Sequence, residues 1–160
     1  MPMTQWIPHV TVAAVVDTVV DGEQRFLMVE EKINNTLVIN QAAGHWEMGE
    51  SLIDAVHRET LEETSYIVET ESLIGIYNWT IPQNENAALS TDTFLRFTFK
   101  CKLIKKTAQS LDPDINRYLW LTKDEIRSTQ HKKRSPLVLR SLNDFLIGNN
   151  YSLNQFIEIK

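Results

Sequence analysis

A capped amphipathic segment, set between groups of β-branched runs, most constrains how this 160-residue chain can fold. Ser51 and Asp54 have the S-x-x-D spacing of a capping box, which marks the first turn of a helix. The positions that fall within about 100° of arc on such a helix are apolar or small: Leu52, Ile53, Val56 and Thr60. We therefore predict a helix from Ser51 to about Thr64 that packs through this one face.

Runs that favour β-structure lie on both sides of this helix. The dipeptide Asp21-Gly22 suggests a hairpin between the first two runs, although their spacing exceeds a two-residue turn. The fifth run alternates strictly, with Phe97, Phe99, Cys101 and Leu103 opposite Arg96, Thr98, Lys100 and Lys102. This alternation is typical of a half-buried strand. Strands are predicted at residues 9–16, 25–29, 37–39, 73–79, 94–103 and 118–121.

Two further helices are predicted in the last third of the chain. Thr122 and Glu125 form a second capping box, and Pro136 suits the first turn of a helix that ends before Gly148. Residues 82–92 and 107–116 are expected to be loops. Strands, helix, strands and helices follow each other without a repeat or a linker, which predicts one α/β domain over residues 1–160 with helices flanking a mixed sheet.

Composition excludes several functional classes. Sixteen Lys and Arg against 21 Asp and Glu give a formal net charge of −5, which disfavours nucleic acid and anionic membranes as partners. The single cysteine, Cys101, excludes an intramolecular disulfide and paired-cysteine zinc sites. The sequence shows neither a signal peptide nor a membrane-spanning run, so we expect a cytoplasmic protein.

The acidic side chains are concentrated on the first helix. Glu59, Glu62 and Glu63 have i, i+3, i+4 spacing, so their carboxylates share one face. Three like charges there destabilise the helix unless a hard cation such as Mg²⁺, which prefers oxygen ligands, neutralises them. Glu50 lies at the helix entrance, and Arg58 can orient a neighbouring carboxylate through paired hydrogen bonds.

An acidic helix face is by itself usually only a solvated face. This segment carries a longer pattern, G-x5-E-x7-R-E-x-x-E-E. At residue frequencies of roughly 6%, such a match is expected on the order of once in 10⁵ chains of this length. The six matching positions are Gly44, Glu50, Arg58, Glu59, Glu62 and Glu63.

The pattern, over residues 44–66, is the Nudix box, and the chain resembles the Nudix hydrolase superfamily. Further segments are similar, in order and spacing, to its NudJ-type phosphatases: residues 9–13, 29–31, 40–45, 94–97 and 134–138. The resemblance implies an α/β/α sandwich. It also implies hydrolysis of phosphoanhydride bonds in nucleoside tri- or diphosphates, or in a small pyrophosphate such as hydroxymethylpyrimidine pyrophosphate.

The resemblance also implies roles for residues of the box. Glu62 and Glu63 would ligate Mg²⁺, or Mn²⁺ in its place, and the backbone at Gly44 would approach the metal and the phosphates. Glu59 would ligate the metal or act as the base, oriented by Arg58. Two positions depart from the box: Thr60 where an apolar residue is usual, and Ser65 where glycine is usual. A carboxylate outside the box would complete the metal site, with Glu85, Asp112 and Asp114 as candidates.

Four residues are weaker candidates for binding the substrate. Trp46 and Trp79 could stack on a base, although Trp79 also suits a core position on its strand. Arg96 could reach phosphates, or could be an ordinary residue of a solvent-facing strand surface. Arg134 precedes a predicted helix N-terminus, where anions bind, or lies in a solvated turn.

A nucleotide-binding regulator without turnover is the main alternative function. Such proteins usually lose box carboxylates and carry an added DNA-binding domain, whereas this chain keeps all of the carboxylates and has no basic winged-helix segment. A Nudix isomerase or RNA-decapping enzyme would call for extra domains or a basic surface. We therefore expect an enzyme that acts on a small nucleotide or pyrophosphate. The oligomeric state stays open.

Overall fold

Seven strands and three helices make up the fold in the computed structural model, which describes residues 6–82, 92–128 and 130–159. Most of the predicted loop 82–92, with Glu85, lies outside these residues. The elements are β1 (His9–Val20), β2 (Glu23–Ile33), β3 (Thr36–Asn40), β4 (Ala42–His45), α1 (Leu52–Thr64), β5 (Tyr66–Thr80), β6 (Thr93–Lys106), β7 (Ile115–Leu121), α2 (Lys123–Arg127), α3 (Leu137–Leu146) and a 3₁₀ turn (Leu153–Gln155).

The strands form one mixed sheet. Its main path runs β3-β2-β1-β6-β5, while β4 pairs with β1 and β7 pairs with β2. β1 and β6 are parallel, and the other pairs are antiparallel. Among the described residues, no helix combines the length and apolar character needed to cross a bilayer.

The central strand β1 is buried on both faces, which explains its nearly continuous apolar run. Val12 and Val16 pack with Val56 of α1 in one core cluster. Val15 packs with Leu142 of α3 in a second cluster on the opposite face of the sheet. Helices therefore cover both faces, which confirms the predicted mixed sheet with flanking helices.

The turn between the first two strands is shorter than predicted. β1 continues to Val20 and β2 begins at Glu23, so only Asp21 and Gly22 connect them. Both have positive φ, 51° and 79°, as a two-residue type I′ hairpin turn requires. After Val16, β1 continues through Asp17, Thr18, Val19 and Val20, which show no apolar alternation, so this end does not look like a strand in the sequence.

Several strand segments were not predicted. β2 runs on to Ile33, and β7 begins at Ile115, within the predicted loop 107–116. β4 has only four residues, of which Ala42, Ala43 and Gly44 have low β-propensity, and its pairing with β1 determines its conformation. β5 begins at Tyr66 rather than at Leu73. Three register irregularities along its pairing with β6 interrupt the alternation that a sequence pattern would show.

The polar face of β6 is not a solvent face along its whole length. Lys102 is exposed, but Thr98 is fully buried and Arg96 is only 7% exposed. α3 covers the strand at Thr98, whose hydroxyl lies 3.4 Å from that of Ser141. The alternation was predicted correctly, whereas the second layer of helices could not be seen from the strand itself.

Candidate active site

α1 begins and ends at the residues predicted from the sequence. The Ser51 hydroxyl accepts a hydrogen bond from the Asp54 amide at 2.9 Å, and the Asp54 carboxylate accepts one from the Ser51 amide in return. At the other end Ser65 is left-handed, with φ 63° and ψ 14°. Its hydroxyl donates to the Gln109 carbonyl at 2.6 Å. Ser65 therefore takes the conformation that glycine favours and fastens the next loop to the helix.

Arg58 connects the helix to the segment that precedes it. Its guanidinium donates two hydrogen bonds to the Glu50 carboxylate, at 2.7 and 2.9 Å, and one to the His45 carbonyl at 3.0 Å. It also donates to Glu59 at 2.7 Å and to Glu62 at 3.2 Å. These partners raise the pKa of Arg58, with Glu50 contributing most. One cation thus orients three carboxylates.

The close approach of β4 to α1 depends on Gly44. A Cβ atom at Gly44 would lie 2.1 Å from the carboxyl carbon of Glu59. No carbon atoms approach so closely without a bond, so the position of the Glu59 carboxylate requires a residue without a side chain at Gly44.

Glu63 lies deepest in the cluster, at 8% exposed. Its carboxylate accepts a hydrogen bond from the Ala43 amide at 2.9 Å. Burial raises the pKa of Glu63 to about 9, and the negative charges of Glu31, Glu59 and Asp112 add to this effect. The hydrogen bond from Ala43 opposes the shift without cancelling it.

The pKa of Glu59 is also raised, because the nearby positive charge does not fully offset its burial and its negative neighbours. Burial raises its pKa, and the charges of Glu62 and Asp112 raise it further, although Arg58 acts in the opposite direction. A cluster of partly desolvated carboxylates with one shared arginine favours either protons or a metal cation.

The donor chemistry of the cluster fits a hard divalent cation. Carboxylate and backbone oxygens are the ligands that Mg²⁺ takes, and the space beside Gly44 is kept free of side-chain atoms. In the described ranges, no group of three or more His, Cys, Asp or Glu side chains is placed to hold a metal ion, and Arg58 pairs directly with both Glu59 and Glu62. A cation held by these residues would take over part of the role of Arg58.

Among the three candidates for an outside carboxylate, Asp112 is tied to the cluster. Its amide donates to the Glu62 carbonyl at 2.9 Å, and its charge raises the pKa of both Glu59 and Glu63. Asp114 lines the same cleft without these links.

Glu31 is not among the site residues predicted from the sequence. It lies on β2 beside the cluster and raises the pKa of Glu63. The one sequence signal is that Glu31 ends the similar segment 29–31, because nothing local links it to Glu63, 32 residues later in the chain.

A cleft of about 660 Å³ opens beside the carboxylates. Its walls include Gly44 and Glu63, together with Ser135 and Leu137 at the start of α3. Three of the four substrate-binding candidates also line it: Trp79, Arg96 and Arg134. The structure therefore brings these three residues to the cleft that Glu63 lines.

The two tryptophan candidates differ in position. Trp79 is half-buried and stacks on Phe94, with ring centroids 5.8 Å apart and planes inclined by 29°. Trp46 is about half exposed and is not among the described residues that line the cleft. Its indole donates to the Glu50 carbonyl at 2.7 Å, so it braces the loop before α1.

The sequence matches the family model described as NUDIX domain over residues 8–142. Phosphatase NudJ of Escherichia coli (strain K12) is 37% identical over 147 residues, which cover 91% of this chain and 88% of that protein. Phosphatase NudJ of Shigella flexneri gives the same identity and coverage.

Solved structures agree with this match. A Nudix hydrolase from Nitrosomonas europaea superposes with a TM-score of 0.84 at 39% identity, covering 96% of this chain and 98% of that chain. The Nudix domain of Shewanella oneidensis NrtR, solved with ADP-ribose, gives 0.68 at 14% identity, covering 91% and 93%, a likeness of fold alone. The family match extends over most of the sequence, and the chain therefore belongs to the Nudix hydrolase family and is a hydrolase.

Proposed function

We propose that this hydrolase cleaves phosphoanhydride bonds in nucleoside tri- or diphosphates, or in a small pyrophosphate such as hydroxymethylpyrimidine pyrophosphate, with Mg²⁺ or Mn²⁺ as cofactor. The observation that carries the proposal is the buried carboxylate cluster at the cleft, which is short of positive charge. The similarity of the chain to proteins named Phosphatase NudJ supports the choice of phosphate substrates. A cytoplasmic location and one domain over residues 1–160 belong to the same proposal.

The residues of the box would have different roles in the reaction. Glu62 and Glu63 would hold the metal, with the backbone at Gly44 beside it, and Glu59 would ligate it or accept the proton of the attacking water. When bound, a divalent ion neutralises phosphate oxygens and lowers the pKa of a water molecule. Arg58 keeps the Glu59 carboxylate in place through its 2.7 Å hydrogen bond.

The remaining cleft residues would bind the substrate. Arg96 and Arg134 supply positive charge for phosphate oxygens, and Trp79 offers a ring on which a base can stack. Trp46, outside the cleft wall, could contact only a part of the substrate that extends towards the loop before α1. The resulting partner is a small anionic molecule with an aromatic group.

A substrate panel tests the proposal. We expect phosphate release from GTP, GDP or hydroxymethylpyrimidine pyrophosphate, assayed beside a dinucleoside polyphosphate, in Mg²⁺. Activity should disappear with EDTA and return with added Mg²⁺ or Mn²⁺. Tight nucleotide binding without hydrolysis of any of the four compounds would instead favour the nucleotide-binding regulator.

The contact between Gly44 and Glu59 gives a more specific prediction. In Gly44→Ala the new Cβ displaces the end of a flexible side chain, so the protein should fold, with a Tm within about 3 °C of wild type. Because the Glu59 carboxylate must move by an ångström or more, phosphate release should fall roughly 10²-fold.

Gly22→Ala is the matched control for Gly44→Ala. Gly22 has a φ of +79° and open space where its Cβ would lie. Alanine there should lower stability by about 1 kcal/mol through backbone strain and leave activity unchanged. Wild-type activity in Gly44→Ala would show that the Glu59 carboxylate does not need the position seen in the structure.

A further inference from the structure

Two histidine side chains meet beside the cleft. His9 is the first residue of β1, and His45 is the last residue of β4 and lines the cleft. The Nδ1 atom of His9 lies 3.1 Å from the Nε2 atom of His45, and the two rings are inclined by 64°. The residues are 36 positions apart in the chain, so only the antiparallel pairing of β1 with β4 brings them together.

The separation of these two nitrogen atoms suits a shared metal ion. Zn²⁺ binds imidazole nitrogen at about 2.0–2.1 Å, so two such ligands lie roughly 3.3 Å apart at a tetrahedral angle and roughly 2.9 Å apart at a right angle. The observed 3.1 Å lies between these values. Without a metal, one ring donates a hydrogen bond to the other. A cation would take the place of the shared hydrogen after modest rotations of the two rings.

Neighbouring groups hold both histidines in place. The His9 ring stacks on Phe94, with centroids 4.8 Å apart and planes inclined by 18°. Its second nitrogen, Nε2, lies 3.8 Å from the Asp92 carboxylate. A carboxylate beside the second nitrogen is a common partner of metal-binding histidines, because it fixes the tautomer and the ring orientation. The backbone carbonyl of His45 accepts a hydrogen bond from Arg58 at 3.0 Å. Two ligands held in this way on strands are well placed to bind a metal ion.

We infer that His9 and His45 form a binding site for a transition-metal ion such as Zn²⁺, Ni²⁺ or Cu²⁺, separate from the carboxylate cluster. Imidazole nitrogen suits these ions, whereas Mg²⁺ prefers oxygen ligands. Two protein ligands leave at least two coordination positions for water or for an anion in the cleft. The inference does not depend on the proposed function, since neither histidine side chain is among the groups proposed to hold Mg²⁺.

Electron paramagnetic resonance of the Cu²⁺-loaded protein tests the ligands directly. In untagged protein with one equivalent of Cu²⁺ and millimolar Mg²⁺, the spectrum should show coupling to two imidazole nitrogens. Glu63→Gln should give the same coupling, because the carboxylate cluster supplies only oxygen ligands. His9→Phe keeps a ring to stack on Phe94 and should lose the coupling to one nitrogen. His131→Gln removes a histidine outside the pair and should match wild type.

Calorimetric titration with Ni²⁺ measures the strength of the site. An outer carboxylate alone is usually worth 10–100-fold in metal affinity, so Asp92→Asn should raise the Kd roughly tenfold, and His9→Phe or His45→Gln roughly 10²-fold or more. Without Ni²⁺ both histidine variants should keep a Tm within about 3 °C of wild type, because neither side chain is buried.

Two results would overturn the inference: a wild-type Cu²⁺ spectrum without imidazole coupling, or a Ni²⁺ affinity that neither histidine variant changes. The hydrogen bond between the rings would then be only a structural link between β1 and β4. Wild-type protein that binds Ni²⁺ through the pair but releases no phosphate from any substrate would count against the proposed function only.

Discussion

Glu63→Gln is expected to reduce phosphate release by two or more orders of magnitude while leaving the metal-free protein at least as stable as wild type. A metal ligand contributes several kcal/mol to the transition state, and each 1.4 kcal/mol is about tenfold in rate. Glutamine has nearly the same shape and can still accept the Ala43 hydrogen bond, seen at 2.9 Å. Glu62→Gln should have the same effect on turnover.

The pH dependence of thermal stability gives an independent test of the environment of Glu63. Burial raises the pKa of Glu63 to about 9 in the folded protein, against 4.5 for an ordinary glutamate. The folded state therefore holds this proton more tightly, and its contribution to stability is complete below about pH 4.5 and is lost as the pH rises towards 9. In EDTA, Glu63→Gln should lack this component, so its Tm should decline less than that of wild type over this range.

Glu69→Gln, at an exposed glutamate outside the cluster, is the control. It should match wild type in turnover and in the pH dependence of its Tm. Full activity of both Glu62→Gln and Glu63→Gln in Mg²⁺ would refute the metal-binding roles proposed for these residues.

Arg58→Met is expected to impair stability and activity together. Arg58 makes five hydrogen bonds, and two of its partners, Glu50 and Glu59, have side chains only 16% and 11% exposed. Leaving partly buried carboxylates unpaired costs roughly 3 kcal/mol, which lowers the Tm of a chain of this size by on the order of 10 °C.

Activity should fall in Arg58→Met because the Glu59 carboxylate loses its fixed direction. Arg58→Lys keeps the charge but not the planar fork that binds Glu50 twice, so it should lie between wild type and methionine in both measurements. Thermal unfolding and kcat/KM at saturating Mg²⁺ check these expectations. A wild-type Tm in the methionine variant would contradict the structural part of the argument.

Local sequence signals predicted the helix that carries the carboxylates. Its start depends on the capping box of Ser51 and Asp54, and its acidic face depends on helical spacing, both of which operate within a few residues. The burial of Thr98 depends instead on α3, where its neighbour Ser141 lies 43 positions later in the chain. A strand pattern shows which residues share a face, but not what covers that face.

The outer part of the site was less predictable for the same reason. Glu31 and Asp112 approach α1 only through strand pairing and a loop contact, so sequence spacing could not choose Asp112 from its neighbours. Trp46 lies within the box, but its side chain turns to the Glu50 carbonyl instead of the cleft. Proximity along the chain is a poor guide to the direction of a side chain in a loop.

The left-handed conformation of Ser65 affects how well the loop to Asp112 is ordered before substrate binds. A left-handed serine costs about 1 kcal/mol of backbone strain, yet its hydroxyl holds the Gln109 carbonyl, and its own carbonyl accepts the Thr107 amide at 2.8 Å. These contacts reduce the conformational entropy of the loop that leads to Asp112. We therefore expect Asp112 to be preorganised beside the carboxylates before the substrate binds. Substrate binding then has to supply little free energy to order this loop.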